Sequence, residues 1–111
     1  MLSKAEIKRL SRYKQSKFRN QDNLFVVEGE KMLSELLESE YDIQAIYAIG
    51  QWIEKNKAII QTKGIANRTI EISEDDLERI SLLSTPNQVY SLVKIPQEEI
   101  KKKQKGLTIV L

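Results

Sequence analysis

Cysteine and histidine are both missing from the 111 residues. Without them there is no disulfide framework, no thiol nucleophile, no His-based catalytic triad and no Cys/His zinc site. Glycine occurs only at positions 29, 50, 64 and 106, too widely spaced for a dinucleotide fingerprint or a phosphate-cradling loop. Aromatic residues make up 6%, too few for a stacking surface of the single-strand-binding kind. No apolar run approaches the roughly 20 residues that span a bilayer. The opening Met1-Leu2-Ser3-Lys4-Ala5-Glu6 holds no apolar signal core. The expectation is a cytoplasmic protein with no membrane contact and none of the common catalytic machinery.

What is present is ordinary in amount and uneven in placement. Hydrophobic residues make up 41% and charged residues 31%, as in a single globular domain. The net charge is +2, but residues 1–19 carry Lys4, Lys8, Arg9, Arg12, Lys14, Lys17 and Arg19 against Glu6 alone. That segment nets +6, which leaves −4 for the other 92 residues. Intrahelical ion pairs cannot explain so one-sided a run. It reads as a polyanion-binding arm on a mildly acidic body, and charge alone does not separate RNA from DNA. A plain solvated face is the alternative. A second basic cluster, Lys101, Lys102, Lys103 and Lys105, lies near the end.

The chain alternates helix and strand. Ser3 and Glu6 form a capping box that opens a helix over 3–16, with Ile7, Leu10 and Tyr13 on one face. Residues 17–23 read as a polar connection. Leu24 to Val27 is a buried strand, and Glu28-Gly29 interrupts it. Gly29 suits a strand-to-helix junction, and Glu28 is placed to cap the next helix. Residues 30–40 form that helix, with Lys31 in its first turn, where free N–H groups make a weak anion site. Further strands are expected at 43–49, 68–72 and 89–93, and further helices at 51–62 and from Ser73. Trp52 and Tyr47 read as core, and Ser84-Thr85-Pro86-Asn87 as a turn. This predicts an α/β layered sandwich, about four strands covered by helices. Residues 1–94 would be the domain, 95–106 a Lys-rich linker, and 107–111 an apolar strand beginning a further domain.

Ile7-Lys8-x-Leu10, Lys17-Phe18-Arg19 and Phe25-Val26-Val27-Glu28-Gly29-Glu30-Lys31-Met32-Leu33 resemble the N-terminal substrate-binding domain of SpoU/TrmH-type RNA methyltransferases. Leu83 to Val89 and Leu92-Val93 resemble that domain's closing segment, although Val89 stands where the family often has Gly. The resemblance implies a fold like that of kink-turn-binding ribosomal proteins. It implies a ribosomal or transfer RNA partner, with Lys8, Arg9, Arg12, Lys17, Arg19 and Lys31 as contacts and Glu28 and Gly29 as a structural junction. It further implies a parent enzyme, a homodimer through a knotted C-terminal SPOUT domain, that uses S-adenosylmethionine for ribose 2′-O-methylation. This chain ends before that domain's motifs, so it is expected to hold no cofactor and no metal and to be inactive alone. A stand-alone kink-turn-type protein and a protein-interaction domain are the rival readings.

Overall fold

A computed structural model describes residues 2–85 and 87–96. Four strands form one mixed sheet in the order β1-β4-β2-β3. They are β1 (Leu24–Glu28), β2 (Ile43–Ala48), β3 (Thr69–Glu71) and β4 (Val89–Lys94). β4 runs antiparallel to both neighbours, and β2 pairs with β3 in parallel. β4 is central, and Val89 through Val93 are all buried. Its one polar residue there, Ser91, donates its hydroxyl to the Val27 carbonyl at 2.8 Å. The alternating, helix-covered α/β sandwich predicted from the pattern is the observed architecture.

Strand alternation divides the core into two layers. Ile43, Ile46, Ala48, Val89 and Val93 face α3 (Glu30–Glu38), α4 (Gly50–Lys55) and α5 (Lys57–Lys63), where Leu33, Trp52 and Ile60 meet them. Tyr47, Tyr90 and Leu92 face the other way, onto Leu10, Tyr13, Leu77 and Ile80. Those last residues belong to α1 (Lys4–Ser11), a 3-10 turn at Arg12–Lys14, and α6 (Glu74–Ile80).

The two serine caps form as the sequence requires. The Glu6 amide donates to Ser3 Oγ at 3.1 Å, and the Asp76 amide to Ser73 Oγ at 3.1 Å. The reciprocal half of the first capping box differs. Glu6 takes the Ser3 hydroxyl, at 3.2 Å, instead of the Ser3 amide.

Three expectations change. The first helix stops at Ser11, and the expected connection at 17–23 is helix α2 (Ser16–Asp22). Gln15 is extended between them, so the chain folds back and brings Phe18 against the core layer already held by Leu10 and Tyr13. Asn23 ends α2 in the left-handed conformation, with φ +56°, a role Asn fills for its low cost there. The helix expected over 51–62 is two helices broken at Asn56, whose side chain donates to the Trp52 carbonyl at 2.9 Å. The third change concerns Glu28 and is described with the site. Of the expected linker at 95–106 only Ile95 and Pro96 are described, and Ile95 is buried against the domain; the rest of it, and the expected strand at 107–111, lie outside the described residues.

Candidate nucleic-acid interface

The N-terminal segment is pinned to the domain at several points. The Leu2 amide donates to the buried Asp76 carboxylate at 2.9 Å, and Ser11 Oγ donates to the Arg79 carbonyl at 3.3 Å. Tyr13 is buried in the layer, and its hydroxyl donates to Asp22 Oδ2 at 2.5 Å. With its apolar face committed, this segment turns its cations outward.

Lys8, Arg9, Arg12, Lys14 and Lys17 are all exposed. The Arg12 guanidinium lies 4.6 Å from the Phe18 ring centroid and the Lys17 ammonium 4.9 Å from it. A single aromatic ring therefore gathers one cation from each helical piece, an attraction of about 0.5–1 kcal/mol each at exposed sites. Arg9 donates to the Tyr47 hydroxyl at 3.3 Å. Burial opposes its charged form, but the Tyr47 bond and the nearby phenols raise its pKa on balance. Arg19 is half-buried and donates to the Tyr13 carbonyl, so part of its guanidinium holds the turn between α1 and α2.

Five of the six sequence-chosen cations thus share the α1–α2 side. Lys31 does not join them. It is exposed in the first turn of α3, in the opposite helical layer. The sequence reasoning missed Phe18 as the organising ring. Its signal was an apolar residue between Lys17 and Arg19 in a segment otherwise wholly polar.

The Glu28-Gly29 junction is structural, but not in the manner expected of Glu28. It does not cap α3. Alternation turns its side chain to the sheet face that carries α6, whereas α3 lies on the other face. Its carboxylate instead accepts from Ser81 Oγ at 2.5 Å and from the Leu82 amide at 2.9 Å, fastening the end of α6 to β1. Gly29 has φ +98° and ψ 146°, a combination essentially restricted to glycine. An added Cβ would stand 3.2 Å from Asn87 Nδ2. The segment around residue 87 is thereby packed onto the junction, and the Gln88 carbonyl accepts the Ile49 amide at 3.1 Å.

Residues 4–91 match the family described as the MRM3-like substrate binding domain. The chain belongs to that family. Solved structures share the fold of this MRM3-like domain. A Porphyromonas gingivalis protein described as an RNA methyltransferase of the TrmH family superposes with a TM-score of 0.64 at 26% identity. An rRNA methyltransferase from Sinorhizobium meliloti gives 0.67 at 19%, and an RNA 2′-O ribose methyltransferase gives 0.63 at 21%. Each match covers 86% of this chain and 36% of the other. The chain thus spans about a third of the methyltransferases it matches. No curated protein matches it significantly.

The Sinorhizobium enzyme is also known with AdoMet bound. This chain covers 35% of that AdoMet-bound enzyme. The two glycines at strand-to-helix junctions are closely packed, Asn87 Nδ2 lying 3.2 Å and Glu71 Oε2 3.0 Å from where their Cβ atoms would stand. Among the described residues there is also no acidic, His or Cys cluster suited to a metal, and no helix long and apolar enough to cross a membrane.

Proposed function

We propose that this domain binds RNA and positions it for ribose 2′-O-methylation by a separate S-adenosylmethionine-dependent domain of the same parent protein. Membership of a substrate-binding family carries the reading. The one-sided basic surface of α1 and α2 supports it, because clustered cations on a mildly acidic body are what phosphate neutralisation requires. Lys8, Arg9, Arg12, Lys17 and Arg19 would contact phosphates, and Lys31 would make a separate contact at the Gly29 end. Glu28 and Gly29 hold the scaffold. The contribution to catalysis is positional, since binding energy remote from the reacting ribose holds it against the cofactor. In the parent, the catalytic domain would supply the cofactor site and the dimer interface.

The test is a salt titration of binding to a fluorescein-labelled RNA hairpin. If about four phosphates are contacted, the log–log slope should be roughly −3 to −4. Arg12→Gln with Lys17→Gln should flatten it by about two. Stability should fall by no more than the two Phe18 contacts supply, about 1–2 kcal/mol in all, so binding is compared at a temperature where thermal melts show both proteins folded. Equal slopes for the double variant and the wild type would discard these helices as the RNA surface.

A further inference from the structure

Beside the basic helices the sheet is left partly uncovered. A notch of about 600 Å³ opens between the α1–α2 wall and the start of β1 and β2. Arg9, Tyr13 and Asp22 form the helical wall, Ala45 lies on the sheet side, and Gln44 and Lys94 line the same space. Resting on the RNA-binding reading above, we propose that the RNA backbone continues from the helices into this notch, with Lys94 and Gln44 as its contacts there.

Two details of the backbone build the notch. Strand alternation puts Lys94 on the face of Tyr90 and Leu92, toward α1 and α2. The register of β2 on β4 slips by one, Ile43 opposing Val93 while Ala45 opposes Leu92, so Gln44 is the extra residue of a bulge. A bulge re-aims a side chain, and here Gln44 and its neighbour Ala45 both line the notch. Only the small Ala45 follows, which leaves the space open.

The charge of the lining fits a phosphodiester chain. Arg9 donates one N–H to Tyr47, the one hydrogen bond found for its guanidinium among the described residues. Among the described residues Lys94 makes no ion pair, the one found there being Arg68–Asp42 at 3.3 Å. The single acid in the lining, Asp22, already accepts the Tyr13 hydroxyl. Gln44 adds an uncharged donor and acceptor suited to a 2′-hydroxyl or a base edge. The cavity at the opposite end of the sheet, about 510 Å³, is lined instead by Glu74 and Glu78 and would repel a polyanion. The notch lies at the end of the sheet away from Gly29 and Asn87.

The experiment uses the whole chain and the same labelled hairpin. Lys94→Gln should weaken binding about 3- to 10-fold near 0.1 M salt and flatten the slope by about one unit. Gln44→Ala should weaken it less and leave the slope unchanged. Lys57→Gln, an exposed lysine on α5 in the other layer, should bind as wild type. If Lys94→Gln matches Lys57→Gln while the Arg12/Lys17 variant loses affinity, the notch is overturned and the RNA function stands. If all variants bind as wild type, both fall together. Competition by polyglutamate as effective as by unlabelled RNA would overturn the RNA assignment in favour of an acidic protein partner. Ultraviolet crosslinking of the hairpin to Lys94 rather than near Asn87 is the independent readout, and the reverse pattern overturns the proposal.

Discussion

Single side chains hold this scaffold through a few long-range polar bonds. Glu28 reaches across more than fifty residues of sequence to Ser81 and Leu82. Hydrogen bonds to a charged group are worth about 1.5–3 kcal/mol, so Glu28→Ala should cost about 2 kcal/mol in urea denaturation. An unchanged midpoint would mean that the latch contributes nothing. Tyr90 presents the opposite situation. Its ring is buried edge-on to Tyr47, but its hydroxyl has no hydrogen-bond partner among the described residues. Tyr90→Phe should therefore raise stability at neutral pH, by up to about 1 kcal/mol. The phenol also carries a pH signature. Burial, and then the nearby Glu28 charge, raises its pKa above the usual 10.0. A raised folded-state value means stability is fully present below the unfolded value and declines as pH climbs past about 10. Tyr13 acts in the same direction, through burial and then its bond to Asp22. Denaturation at successive alkaline pH values should show that decline, and Tyr90→Phe should shrink it.

At the scale of elements, the fold-back from α1 to α2 is what makes a surface from a basic run. It depends on Asn23 to release the chain from α2 into β1. An L-residue with a Cβ loses about 1–2 kcal/mol in the left-handed conformation, and Asn tolerates it better than most. Asn23→Ala should lower stability by about 1 kcal/mol, whereas Asn23→Gly should be neutral or slightly stabilising. Thermal melts of the pair decide this, and equal losses in both would show that the Asn side chain matters rather than the backbone. α3 shows a related economy. No basic residue lies in its own last turn, and Lys63 from α5 donates instead to the Leu37 and Ser39 carbonyls near its end.

For the whole molecule, the last buried contribution to the core among the described residues is Ile95. It is buried, and its amide donates to the Asn23 carbonyl at 2.8 Å. A chain ending at residue 96 should unfold cooperatively with the melting temperature of the full chain. A chain ending at residue 94 should lose about 2 kcal/mol, from the burial of one Ile side chain and one backbone bond. If the 96-residue chain fails to unfold cooperatively, the domain boundary lies further on. The division of charge also belongs to this scale. The cations of residues 1–19 gather on the α1–α2 side, whereas Glu74 and Glu78 line the cavity at the far end, so among the described residues the α1–α2 side is the main basic approach.

The alternation of apolar runs with amphipathic stretches determined the four strands, the α/β class and most of the core, because burial on one face or two leaves a periodic mark in the chain. Trp52, Tyr47, Leu10 and Ile80 were legible for that reason. The serine caps were legible because a cap is a local bond, satisfied within three residues. The basic character of the N-terminus was legible as a count. What escaped the sequence is whatever depends on partners far along the chain. The turn at Gln15 has no proline or glycine to announce it and exists because Tyr13 and Phe18 both find the same apolar layer. Glu28 was read as a local cap because its true partners, Ser81 and Leu82, meet it only when α6 returns to β1. Lys94 and Gln44 carried no signal at all: strand register and one bulged residue decided that they face the same notch as Arg9.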